Sequence, residues 1–113
     1  MDVGSDKRTV EELAEIRVYL PSAAFELYEE QPAYVAKLGE AVIALIPPVV
    51  GEGATQWWCT IKCNSRERTR SGYGASHRHA FRQAVVATFA RCADVFSEKT
   101  STLLRAHAIR SML

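Results

Sequence analysis

Cysteine is scarce in this chain and odd in number, with Cys59, Cys63 and Cys92 the three thiols. An odd count argues against a closed disulfide framework, and 113 residues can bury a core without one. Apolar runs are short. The longest, residues 41–50, contains Pro47 and Pro48 and falls well short of the roughly 20 residues that cross a bilayer as a helix. No basic, apolar, small-residue leader opens the sequence, so a cytoplasmic protein with reduced thiols and no membrane contact is expected. Net charge is almost absent, at +1, and says little by itself; its distribution says more. Phosphate-cradling signatures are missing too. Gly72-x-Gly74-x-Ser76 is neither a Walker loop nor a dinucleotide fingerprint, and a strand-to-helix turn accounts for it.

The composition that remains is that of a folded domain, 48% hydrophobic and 24% charged. Its length suits one domain, expected over residues 9–113 behind a flexible polar segment at residues 1–8. The charge is unevenly placed. Residues 1–56 carry ten acidic and four basic side chains, and residues 57–113 carry three acidic and ten basic ones. An acidic end and a basic end follow from that split.

Periodicity predicts an α+β fold with N-terminal helices, a short antiparallel β-hairpin or sheet, a long C-terminal helix packed on the sheet, and a short final helix. Thr9 and Glu12 match a capping box for a first helix ending before Pro21, with residues 17–20 readable as helix or strand. Ser22 can cap a second segment through Glu30. Tyr34, Leu38, Val42 and Leu45 recur at helical spacing, which predicts a helix over residues 33–46 stopped by Pro47-Pro48. Residues 56–63 alternate as a strand, with Trp57, Cys59, Ile61 and Cys63 on one side and Trp58, Thr60 and Lys62 on the other. Residues 67–73 form its partner. Ser76 can cap a helix over residues 77–98 with a seam of Phe81, Val85, Thr88, Cys92 and Val95 and a small face of Ala80, Ala84 and Ala87. Thr100 or Ser101 can cap the last helix.

Four constellations could carry chemistry. Cys59, Cys63, His77 and His79 have zinc-ligand types, but four strand residues span roughly 13 Å and two histidines two apart on a helix point roughly 200° apart; core cysteines and solvated histidines are the better reading, with no metal or cofactor expected. Cysteine nucleophilic catalysis needs a base and an orienting group, and no local signature ties His77, His79 or His107 to a thiol. The glycine turn leading into a helix N-terminus is the third. The fourth is a basic β-ribbon. Arg66, Arg68 and Arg70 alternate along one face of an extended strand. A three-residue loop pairs Lys62 with Arg68 and Thr60 with Arg70. Trp57, Cys59, Ile61 and Tyr73 then face the core, and Trp58, Lys62, Arg68 and Arg70 face solvent. Lys62 opposite Arg68 costs stability unless an anionic partner occupies the pair. Arg78 and Arg82, one helical turn apart, extend this surface. An aromatic beside arginines suits phosphate contact and base stacking, and equally an acidic protein surface.

Trp58-Cys59-Thr60-Ile61, Gly72-Tyr73-Gly74-Ala75-Ser76 and Ala80-x3-Ala84-x2-Ala87 together resemble two groups of proteins. Residues 57–96 are similar to the second half of double-stranded-RNA-binding domains. That resemblance implies that His77 and Arg78 contact phosphates, with Phe81 standing where those domains have a third basic residue. The stretch also resembles small accessory proteins of bacteriophages and prophages, some of which are anti-CRISPR-type inhibitors. This second resemblance implies a non-enzymatic protein that binds a host protein or nucleoprotein complex stoichiometrically in the cytoplasm of a bacterial host cell. Nucleic-acid binding through Arg68, Arg70, His77 and Arg78 is the alternative. Leu103, Leu104, Ala108, Ile109 and Met112 offer an apolar face for a homodimer through the C-terminal helix.

Overall fold

The computed structural model describes residues 7–49, 53, 55–63, 68–91 and 93–113. In chain order they form α1 (Lys7–Arg17), β1 (Ala24–Tyr28), β2 (Gln31–Leu38), β3 (Ala41–Ile46), β4 (Trp57–Cys63), β5 (Thr69–Gly74), α2 (His77–Arg91), a single 3₁₀ turn (Ala93–Val95) and α3 (Glu98–Arg110). The strands make one antiparallel meander in the order β1-β2-β3-β4-β5. The α+β class holds, with a C-terminal helix packed on the sheet. No helix among the described residues is long and apolar enough to cross a membrane.

The second N-terminal helix expected over residues 33–46 is instead β2 and β3. Gly39 and Glu40 form a two-residue turn between Leu38 and Ala41, and Gly39 takes φ +57, which a side chain rarely tolerates. A Cβ there would also collide with Thr100 Oγ1. The segment expected to continue from Ser22 is β1, joined to β2 by a turn at Glu29 and Glu30, both at positive φ. That is the backbone sense in which a two-residue hairpin matches strand twist.

Helix boundaries differ from expectation where packing decides them. α1 already includes Lys7 and Arg8, so the flexible segment expected over residues 1–8 does not reach them; residues 1–6 lie outside the described ones. Thr9 is therefore buried within a helix rather than capping it, and Glu12 accepts from the Tyr34 hydroxyl at 2.8 Å. Of residues 17–20, residues 18–20 are neither strand nor continued helix. Arg17 ends α1, and Tyr19 and Leu20 N–H groups fold back on the Ile16 carbonyl. α2 stops at Arg91 instead of residue 98, and Ser97 caps α3, its Oγ accepting from the Thr100 N–H at 3.2 Å. The Glu40 carboxylate accepts from the Ser97 N–H at 2.8 Å, which fastens the β2–β3 turn to that cap.

All three helices contribute to the core on one face of the sheet. Ile16, Tyr19 and Leu20, Tyr34, Ile43, Leu45, Trp57, Cys59 and Ile61 from the strands, and Ala80, Phe81, Ala84 and Leu104 belong to one buried cluster. α2 sits close on β5 because the strand is glycine where the helix passes. A Cβ on Gly72 would meet the Ala84 nitrogen and the Ala80 oxygen, and one on Gly74 would meet the Ala80 nitrogen. Tyr19 joins the helices. Its hydroxyl lies 2.8 Å from His77 Nδ1, and its carbonyl accepts from His107 Nδ1 at 2.7 Å.

Candidate functional site

The opposite face of the sheet has no described helix on it. Strand alternation and the observed register place Ala24, Glu26 and Tyr28, then Gln31, Ala33, Val35 and Lys37, then Val42, Ala44 and Ile46, then Trp58, Thr60 and Lys62, and finally Thr69, Ser71 and Tyr73 on it. A small cluster of Ala33, Val35 and Ala44, flanked by Tyr28, Val42 and Ile46, is separate from the main core. These small side chains are shielded by their neighbours rather than by a second layer.

Three cross-strand rows organise this face. The central row runs Ala24, Val35, Ala44, Thr60 and Ser71, all small. On one side of it Lys37, Val42, Lys62 and Thr69 are opposed in turn. On the other side Ile46, Trp58 and Tyr73 are opposed. Trp58 is 41% and Tyr73 53% exposed, and their rings lie 5.3 Å apart at 30°. The ladder explains that proximity. Cys63 N–H donates to the Arg68 carbonyl at 3.2 Å, so Cys63 and Arg68 are a hydrogen-bonded pair. Alternation then makes Trp58 and Tyr73 a non-hydrogen-bonded pair, in which side chains approach most closely. Thr60 is only 8% exposed, and its Oγ1 has no hydrogen-bond partner. The face carries two lysines and one carboxylate, Glu26, which sits on β1 at the far side from Trp58.

This register corrects the expected one by a single residue. Lys62 opposes Thr69 instead of Arg68, and Ile61 rather than Thr60 opposes Arg70. A one-residue slip transfers every side chain of a strand to the other face. Arg70 therefore lies on the helix side, half-buried, with Nη1 donating to the Thr69 carbonyl at 3.5 Å and Nε buried without a partner. Arg68 shares that side and is exposed at the sheet's end. Tyr73, expected in the core, is on the open face. Trp58 and Lys62 stand where expected. Arg66 lies outside the described residues.

The two remaining basic residues of the expected site are committed internally. Arg78 Nη1 and Arg82 Nη1 both donate to the Ser111 carbonyl, at 3.3 and 3.1 Å, where they meet the negative end of α3. The Arg78 guanidinium also lies 5.6 Å from the Tyr19 ring centroid. His77, which the double-stranded-RNA resemblance made a phosphate contact, is buried. Glu15 Oε2, 3.1 Å away, can only accept as a carboxylate, so His77 Nε2 donates to it, while Nδ1 meets the Tyr19 hydroxyl. Burial raises the Tyr19 hydroxyl's pKa well above the usual range, with Cys59 adding to the rise and Arg78 and Arg82 opposing it. The two groups that resemblance assigned to phosphate are thus both used to hold the helices together.

Cys59 and Cys63 are buried, and burial pushes the Cys59 pKa up, opposite to what a nucleophilic thiolate needs. Among the described residues, no group of three or more His, Cys, Asp or Glu side chains is placed to hold a metal ion. The apolar face expected on the last helix divides. Leu104 is buried in the core, whereas Ile109 and Met112 are exposed.

Comparison with known family models, with curated proteins and with solved structures finds no match.

Proposed function

We propose that this chain is a non-enzymatic binding domain that receives single-stranded nucleic acid on the open face of its sheet. The observation that carries this reading is the exposed Trp58–Tyr73 pair on adjacent strands, with Lys62 four residues along β4 from Trp58 on the same face and Lys37 in the same row as Lys62. Aromatic rings on an open sheet give bases a stacking surface, and lysines beside them meet the phosphates. The small central row leaves room for a chain to lie between the aromatic and basic rows. Unlike the duplex reading, this one does not need His77 or Arg78.

The test is fluorescence anisotropy of labelled single-stranded RNA and DNA of mixed sequence, titrated with the protein at low and moderate salt. Binding that weakens with salt, and that weakens further in Trp58→Ala and Lys62→Glu, supports the reading. Absence of binding to both strands at low salt rejects it.

A second reading is a protein partner, in the manner of the phage inhibitors that the sequence resembles. The apolar half of the same face favours it, where the partly exposed Tyr28, Val42 and Ile46 surround the buried Ala33, Val35 and Ala44, since apolar side chains gathered at a surface mark protein contacts. Capture of a specific complex from bacterial lysate after nuclease treatment, lost in Ile46→Asp, would favour this reading over the first.

A further inference from the structure

The two ends of the sheet are protected differently. β1 is five residues long, places Glu26 on the open face, and is preceded by a carbonyl, that of Ala23, already taken by Arg17 Nε at 2.8 Å. Charge and brevity blunt such an edge. β5 is six residues long, and its one charged residue, Arg70, lies on the helix side with Nη1 on the Thr69 carbonyl at 3.5 Å. Its ladder phase turns the N–H and C=O groups of Thr69, Ser71 and Tyr73 away from β4, and no described strand pairs with that side. On the open face its side chains are uncharged.

Beside this edge lies a groove of about 500 Å³ lined by Ser71, Gly72, Tyr73, His79, Gln83, Val86 and Ala87. Val86 is 61% exposed on α2, although it flanks a bare strand edge. The groove therefore has a backbone floor in which the N–H and C=O groups of Ser71 and Tyr73 pair with no described strand, and a helical wall of small or uncharged side chains.

We infer that β5 pairs with β5 of a second copy, antiparallel about a two-fold axis at Ser71, to form a ten-stranded sheet. The sequence of β5 is what selects a second copy as the occupant. Centring on Ser71 opposes Arg70 to Gly72 of the other copy and Thr69 to Tyr73, so no like charges meet across the new ladder. Arg70, the single charged residue of the strand, finds a residue without a side chain opposite it. An isologous contact requires this kind of self-complementarity. The wall that α2 gives the groove, His79, Gln83, Val86 and Ala87, carries no carboxylate or guanidinium, with Arg91 beyond it at the helix end, so two α2 helices can approach over the joined strands.

Pairing in this register has a consequence on the open face. Tyr73 of one copy is opposed to Thr69 of the other, which is itself opposed to Lys62. The aromatic row of each copy thus runs into the basic row of its partner, and the dimer carries two such composite rows. The dimer does not depend on what ligand, if any, occupies them.

Sedimentation equilibrium over micromolar to millimolar concentration tests the pairing without any ligand. The expected result is a mass that rises from one to two chains. Ser71→Pro, which removes an outward N–H without touching the β4 ladder, and Val86→Glu should each abolish the rise while leaving the circular dichroism spectrum unchanged. Register is tested by oxidation. Ser71→Cys should give a covalent dimer well above the wild-type background, because the axis brings position 71 against its own copy, and Thr69→Cys should not. A monomer mass at every concentration overturns the inference. So does a dimer that survives both Ser71→Pro and Val86→Glu, which would place the contact elsewhere, such as at the exposed Ile109 and Met112. Equal cross-linking at positions 69 and 71 overturns the register.

Discussion

The same five strands build both faces of the sheet, yet the two faces are finished in opposite ways. On the helix side the strands carry large residues, Tyr34, Ile43, Leu45, Trp57 and Ile61, and each is covered. On the other side the buried residues are small, Ala33, Val35, Ala44 and Thr60, while the large ones, Trp58 and Tyr73, stand in solvent. A face meant for internal packing puts bulk at its centre. This one puts bulk at the rim and leaves a shallow trough, which is a shape that accepts something else. Trp57 and Trp58 are chemically identical neighbours, and the parity of one residue decides which is core and which is surface.

Substitutions on the two faces should therefore separate stability from binding. The largest loss of stability is expected from Gly72→Ala. Its new methyl would fall on backbone atoms of α2, and overpacking of this kind costs about 1–3 kcal/mol, here at the upper end; urea unfolding measures it. Tyr19→Phe comes next. It removes the partner of His77 Nδ1 and should cost about 1–2 kcal/mol. The same variant sharpens a pH effect. Tyr19, Tyr34 and Cys59 all have raised pKa values in the folded protein, so they remain neutral there when the unfolded chain ionises. Their contribution is fully present at neutral pH. It declines as pH climbs past the ordinary cysteine value of 9.0 and the ordinary tyrosine value of 10.0, and Tyr19→Phe should show a shallower alkaline decline in melting temperature.

On the open face the signs change. Thr60→Val keeps the shape and deletes a hydroxyl that is buried with no partner, so stability should rise by up to about 1 kcal/mol. Trp58→Ala should leave the unfolding midpoint within about 0.5 kcal/mol of wild type yet weaken oligonucleotide binding about tenfold or more, given the worth of one stacked base. Lys62→Glu should be smallest, flattening the salt dependence of binding by about one phosphate contact. If Trp58→Ala destabilises as much as Gly72→Ala, the contrast between the faces is wrong.

The helix side was the more legible half in sequence. Trp57, Cys59 and Ile61 alternate cleanly because helices cover that face of β4, and Gly72-Tyr73-Gly74 before an alanine-rich stretch announces a strand passing closely under a helix. The region over residues 33–46 misled for a related reason. Small apolar residues at Ala33, Val35 and Ala44 fill the polar half of the alternation, so the segment reads as a continuous apolar run that fits helical spacing. Gly39 at its centre was the local cue to a turn. The hairpin register rested on loop length, and a single residue there exchanged Tyr73 for Arg70. Lys62 opposite Arg68 was the warning sign, since the observed pairing with Thr69 avoids that repulsion. Nothing local could have tied Arg78 and Arg82 to Ser111, about thirty residues further along the chain, because that contact exists only once α3 has folded back.

The adjacent tryptophans give the molecule two built-in optical reporters. Trp57, enclosed among Tyr34 and His77, should emit at short wavelength and shift red only when the domain melts. Trp58, in water, should already emit to the red and respond by quenching or a blue shift when the trough is filled. Replacing either one with phenylalanine leaves a chain whose remaining indole reports on a single event, so unfolding and occupancy can be followed separately in one cuvette.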